Sequence, residues 1–285
     1  MSSHVLASII DGLLIGFVYG IAAMGLSLIW GVMKVINLAH GAIMALGMFT
    51  VYLLFIDAGI NPYLGLLVVV VLALIFGVVV YFISLHRVIK AGYLYTLLST
   101  FAVNMIIIGI GTVVFSTSPR NVNISLGSLT AGPVILLGTR LVAVLATLII
   151  TGALYLFLYF TRTGKAIRAV SDNLAAAELM GIPSSLILAL SFGLGTMLAA
   201  VAGGLTATFF PFTILSGGSY ELKSFVICVL GGLGHPLGAL LGGLFLGALE
   251  GVIPIFLPIS WVPVVEFGLF VLVLIVRPTG LMGAK

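Results

Sequence analysis

Long apolar stretches follow one another along this chain with almost no charge inside them, and that alone restricts what it can fold into. Hydrophobic residues make up 62% of the 285 and charged residues 6%, against roughly 25% charged in a soluble domain. Such stretches belong against lipid. Each membrane-spanning helix takes about 20 apolar residues, so the length holds about eight or nine passes and leaves little for a domain outside the bilayer. The expected fold is all-α: a single polytopic integral membrane domain over residues 1–285, with soluble chemistry left to partners. A net charge of +4 would suggest nucleic acid in a soluble chain. Here the cations sit in short loops, where they orient the protein, and no nucleic-acid partner is expected. The single cysteine, Cys228, excludes an internal disulfide and a cysteine-based metal cluster. The MSSHV start lacks a basic n-region and no A-x-A-like cleavage site follows it, so the first segment reads as a retained helix.

In chain order, spans are expected at about 5–30, 37–56, 63–85, 93–115 and 141–160, with a polar connection from Ser116 to Arg140. These first helices occupy 5–160, a polar loop covers 161–185, and later helices fill 186–277. The later part reads as a span at about 186–210, a short apolar run from Leu222, a glycine-rich helix ending near Leu257 and a last span at about 261–276. The run at 222–236 either crosses or re-enters, since non-helical backbone at membrane depth is tolerated where protein or water surrounds it. Lys34, Arg87, Lys90, Arg162, Lys165, Arg168, Arg277 and Lys285 fall on one side, and Arg120, Arg140 and Lys223 on the other. The excess predicts the amino terminus outside and the carboxyl terminus inside. The stretch from Gly16 to Ser27 aligns without a gap on Gly195 to Thr206, placing Gly25 on Gly204, in helices that this topology sends in opposite directions. An inverted repeat is expected, an architecture in which transporters place a pathway at the repeat interface.

The polar loop from Thr161 to Ser185 holds five of the eighteen charged residues. Ser171 and Asp172 offer capping oxygens, the following residues favour helix, and Gly181, Ile182 and Pro183 read as a left-handed stop, its cover and a break. A short helix over about 173–180 is predicted outside the membrane, with Ala175, Ala176 and Ala177 as a low face for another protein's groove. Within the spans, Gly16, Gly20 and Gly25, and then Gly238, Gly242 or Gly243, Gly247 and Gly251, put small residues on one helix face, which lets backbones approach; a pathway lined by these thin helices, with Gly16, Gly25 and Gly204 as candidates, is the alternative. Asp11, Glu250 and Glu266 are charges inside spans, either hydrogen-bonded for structure or lining the pathway; Glu266 has no neighbour in sequence to pair with. His40 and His235 stand just before Gly or Pro at helix entries and read as backbone caps, with proton carriers or ligands as the alternative; Asn37, three residues before His40, is a candidate pathway or structural residue. No residues have metal-ligand spacing. Gly164-Lys165 lacks the rest of a P-loop, so no nucleotide site is expected in this chain. Gly25-Leu-Ser27 lacks the second glycine of a nucleophile elbow.

Several motifs stand along the chain: Gly12-Leu-x-x-Gly16-x-x-Tyr19-Gly-x-Ala-Ala-x-Gly25-Leu, Val35-Ile-Asn37-Leu-Ala-His40-Gly41 and Arg168-Ala-Val-Ser-Asp172. They continue in Ala176-Ala177-x-x-Met180-Gly181-Ile182, in Gly231-Gly-Leu-Gly234-x-Pro-x-Gly, and in Arg277-Pro-x-Gly280-Leu. With these residues the sequence resembles, over nearly its whole length, a known family, the LivH-type permeases of branched-chain amino-acid ABC importers. The resemblance implies that the segment from Asp172 through Glu178 to Ile182 contains the coupling helix that docks on an ATPase. Permeases of this kind carry Glu-Ala-Ala-x-x-x-Gly there; Ala175 stands where the glutamate would be, so a contact by that carboxylate is not carried over. It further implies a prokaryotic cytoplasmic membrane, a second and related permease subunit, two cytoplasmic ATPases that hold ATP and Mg, and an extracytoplasmic binding protein. The chain itself is then no enzyme and needs no cofactor. Leucine, isoleucine and valine are the expected solutes, with urea, short amides or other amino acids as the alternative. A passive channel is the reading from another class; it has no use for the short helix, and the aquaporin Asn-Pro-Ala pair is missing, Asn61-Pro-Tyr being the nearest.

Overall fold

A computed structural model describes residues 2–131, 134–277, 280 and 282. Lys285, counted above among the orienting cations, lies outside the described residues, as do Pro278 and Leu281 of the last motif. The elements in order are α1 (Ser2–Met33), α2 (His40–Ile56), α3 (Pro62–Val80) with a π-helical turn at Tyr81–Leu85, and α4 (Tyr93–Phe115). A hairpin of β1 (Ser128–Ala131) and β2 (Val134–Leu137) leads into α5 (Gly138–Phe160), α6 (Arg162–Asp172), α7 (Leu174–Leu179) and α8 (Ser184–Thr206). After a 3-10 turn at Ile214–Ser216 come α9 (Gly217–Gly231), α10 (Pro236–Phe256), a 3-10 turn at Ile259–Trp261 and α11 (Val262–Val276). Among the described residues, 8 helices are long and apolar enough to cross a membrane, and α2, with 17 residues, falls just short. Local chemistry sets several starts. Proline opens α3 and α10, and the Asn61 side chain accepts the Tyr63 N–H at 3.0 Å.

Helices α1 and α8 form the centre: 78% of the apolar window of each is buried, against 17% for α4 and 11% for α11. The arrangement is reciprocal. Helix α1 packs on α8, α9 and α10, while α8 packs on α1, α2 and α3. Exchanging the two halves exchanges these contacts, as an inverted repeat requires. Backbones meet closely along α1 and α10, where a Cβ added to Gly16 would sit 2.7 Å from the Gly243 carbonyl oxygen. The residue register read from the sequence does not carry over. Gly16 lies against α10, whereas its aligned counterpart Gly195 lies against Gly25 and Ile29 of α1, and Gly204 faces Val51 and Leu66. Small residues recur along both helices, so a gapless match can slip while the helix-level exchange holds.

Three further elements differ from expectation. The connection 116–140 contains the antiparallel hairpin, pairing Ser128 with Leu137 and Thr130 with Ile135. The polar loop holds two helices instead of one. The apolar run expected from Leu222 starts earlier, as a helix from Gly217 to Gly231, and residues 232–235 lie outside helix before α10 begins. The Gly-Gly-Ser opening of α9 has poor helix propensity, and packing against α2 holds it in helix.

Candidate functional site

The break in the regular structure falls before α2. Helix α1 ends at Met33, and Val35–Ala39 runs back along the bundle, with Val35, Asn37 and Ala39 buried. Such a stretch must satisfy its backbone without water. The Thr100 hydroxyl of α4 does so, donating to the Ile36 carbonyl and accepting the Leu38 N–H, each at 3.2 Å. The Asn37 side chain accepts the Ala39 N–H at 3.1 Å. Helix α2 therefore starts well inside the bundle. His40 comes close to the Ala22 carbonyl without hydrogen-bond geometry, and about 16 Å of helix separates Ala22 from Met33 at 1.5 Å per residue. Gly41 meets Gly217 at the start of α9 and the Cβ of Glu221. Two helix N-termini, one from each half, thus face each other inside the protein. The expected caps are corrected here: His40 is fully buried, and both its ring nitrogens lack a partner among the described residues. His235 stands at the N-cap position of α10 without a side-chain capping bond.

A second polar group lies between this break and the hairpin end. Lys223 of α9 places its Nζ 2.7 Å from Glu250 of α10 and 3.7 Å from Glu266 of α11, and 4.9 Å from the centre of the Tyr19 ring. Glu266 therefore has a partner, supplied by tertiary structure. Arg140, at the start of α5, pairs with Asp11 of α1 and lies 5.9 Å from the Phe210 ring centre. Asp11, Arg140, Lys223 and Glu250 line one cavity of about 460 Å³. The sequence placed Arg140 and Lys223 in loops as orienting charges; the fold folds both into this cluster. The signal was present in outline, because opposite charges sat in or beside neighbouring apolar segments, yet nothing one-dimensional says which meet. Tyr220 and Glu221, also unforeseen, follow from the same earlier start of α9.

At the other end, α6 and α7 build the expected docking element. Gly164 lies against the Phe157 and Leu158 backbone, and the Ser171 hydroxyl donates to the Gly31 carbonyl at 2.9 Å, fixing α6 to the end of α1. Arg168 stands 4.3 Å from the Tyr159 ring centre. Ser171 and Asp172 thus finish α6 instead of capping α7. The cap is Asn173, whose side chain accepts the Ala176 N–H at 3.0 Å. The stop is as read from the sequence: Gly181 has φ +80, its N–H bonds the Glu178 carbonyl, and the Ile182 N–H bonds the Ala177 carbonyl. Glu178 also accepts from the Ser184 hydroxyl at 2.5 Å. The alanine face is corrected in part. Ala177 is buried while Ala175 and Ala176 are exposed, and the large outward apolar side chains are Leu179 and Met180, 89% and 83% exposed.

Residues 8–274 match the family described as branched-chain amino acid transport system / permease component. The chain is 30% identical to the high-affinity branched-chain amino acid transport system permease protein LivH of Escherichia coli K12, covering 98% of this chain and 96% of that one. It is 30% identical, with the same coverage, to the corresponding protein BraD of Pseudomonas aeruginosa. In fold it resembles a chain of PsaBC from Streptococcus pneumoniae solved in complex with Fab, with TM-score 0.51, 16% identity, and 94% of this chain and 91% of that chain covered. Buried polar groups between two reciprocal halves, a capped helix outside them and a match along almost the whole length lead to one conclusion: the chain belongs to the permease family of branched-chain amino-acid transport systems.

Proposed function

We propose that this chain is one of two permease subunits of an ATP-driven importer in a prokaryotic cytoplasmic membrane, with leucine, isoleucine and valine as its solutes. The likeness over nearly the whole length to proteins named as high-affinity branched-chain amino-acid permeases carries this reading. The α7 end faces the cytoplasm, where most loop cations gather, with the amino terminus outside and the carboxyl terminus inside. Two partner ATPases bind ATP and Mg, and one of them docks on α7 through Leu179 and Met180, flanked by Asp172, Glu178 and Ile182. A related but different permease chain stands alongside, and an extracytoplasmic binding protein delivers solute at the hairpin end. ATP hydrolysis in the partners moves α7, and the tie from Ser171 to Gly31 passes that motion to α1 and so to the contact between the halves. The chemistry of hydrolysis stays in the partners.

The test is uptake by the reconstituted complex of this chain with its partner permease, ATPases and binding protein, given leucine, valine and urea separately, with and without ATP. ATP-dependent uptake of leucine or valine is the expected result. Uptake of urea alone replaces the solute, and flux without ATP overturns the importer reading in favour of a channel.

A further inference from the structure

At the α6 end of the bundle a second cavity, of about 480 Å³, lies between α1, α5, α6 and the start of α10. Two of the sequence motifs meet there, Arg168 to Asp172 and Gly234-His235-Pro236. Its α1 wall runs from Met24 to Val32, about 12 Å at 1.5 Å per residue. That is most of one leaflet, half of a hydrocarbon core of roughly 30 Å. Polarity changes along this depth: Met24, Leu28 and Leu154 line the inner end, and Arg168, Asp172 and His235 line the end beside α6. Tyr155 and Tyr159 stack on the last turns of α5, exposed, as tyrosines do at the surface of a membrane. The two charges are not partners. Arg168 and Asp172 are four residues apart on one face of α6, yet no ion pair joins them among the described residues. Arg168 is held elsewhere: its Nε donates to the Leu158 carbonyl at 3.2 Å, and its guanidinium stands 4.3 Å from the Tyr159 ring centre. Its two terminal nitrogens stay reachable, without a partner among the described residues. Asp172 is exposed and likewise unpaired among them.

A fixed positive and a fixed negative group at one end of an apolar cleft match an amphiphile whose head carries both signs. We propose that this cavity holds one phospholipid with a phosphoethanolamine head. The Arg168 guanidinium donates to the phosphate, Asp172 accepts from the ammonium, and one acyl chain runs along Leu158, Leu154 and Leu28 towards Met24. A choline head has no N–H to give Asp172, and a glycerol head has no positive charge for it. Gly31 and Ser171, joined by their 2.9 Å hydrogen bond, line the same cavity, so the lipid stands against the joint between α1 and α6. Asp172 is the last residue of α6 before α7, which puts the lipid head beside the proposed docking element. The site does not depend on which solute is carried.

The test is native mass spectrometry of the full-length chain released from detergent micelles. It is offered phosphatidylethanolamine, phosphatidylcholine and phosphatidylglycerol with the same acyl chains. Phosphatidylethanolamine is expected to fill one tight site at least fivefold more than either of the others. Arg168→Gln should lower that occupancy about tenfold or more, and Asp172→Asn should bring phosphatidylglycerol level with phosphatidylethanolamine. Thr151→Phe, which fills the apolar part of the cavity without touching a charge, should also exclude the lipid. The comparison of heads needs no variant, so it remains decisive where a substituted chain fails to fold. Equal binding of the three lipids means an unspecific annulus and overturns the proposal. A preference for phosphatidylglycerol reduces the site to a cationic patch and overturns it too, as does occupancy that Arg168→Gln leaves unchanged. None of these outcomes bears on leucine uptake by the complex, so the amino-acid reading stands or falls separately.

Discussion

Replacing Lys223 by methionine leaves Glu250 and Glu266 facing each other without the ammonium that now stands 2.7 Å from one and 3.7 Å from the other. Removing one partner of a buried pair costs about 3–5 kcal/mol, because the charge left behind is uncompensated. A large fall in the thermal unfolding temperature of the detergent-solubilised Lys223→Met chain is therefore expected. Neutralising both glutamates in the same chain should recover most of the fall. If the single variant melts like the parent, the triad does not hold the three helices together. Glu266 has no neighbour in sequence to pair with because its lysine is 43 residues earlier in the chain, on α9. Gly181 shows the opposite situation, since its φ of +80 is required by bonds that span only six residues, all visible in sequence.

Helix α7 is short, and short helices are not stable alone; it exists because Asn173 caps it, Gly181 ends it and Ala177 is buried beneath it. That leaves Leu179 and Met180 as the most exposed of its outward apolar side chains, with Leu174 less so. Leu179→Glu should leave membrane insertion and the rest of the fold intact, while solute-stimulated ATP turnover by the partner ATPases falls about tenfold or more, the loss of roughly 1.4 kcal/mol of coupling. Unchanged turnover would remove α7 from the docking surface. Ala177 is unsuited to the same test, since any larger side chain there disturbs the packing on α8 before it reports on a partner. Helix α2 makes a different point about elements. It falls short of a full span because its first turn starts inside the bundle, after an extended stretch held by Thr100.

For the molecule as a whole, the proposed orientation is tested by placing single cysteines in a Cys228→Ser background at Leu174 and at Asn123, both exposed and at opposite ends of the bundle. An impermeant maleimide should label Leu174→Cys from the cytoplasmic side alone and Asn123→Cys from outside alone; the reverse pattern inverts the topology. The apolar spans and the capped helix before Gly181 were legible in one dimension, because lipid imposes long apolar runs and capping acts between residues a turn apart. Tertiary structure alone decided that Lys223 meets Glu250 and Glu266, that Thr100 satisfies the backbone before α2, and that Ala177 is covered while Leu179 is exposed. These depend on which helices pack together and at what height. That is fixed by the close approach of glycine faces along α1, α8 and α10, where many registers look alike in one dimension and the one adopted brings Lys223 to Glu250 and Glu266 and Arg140 to Asp11.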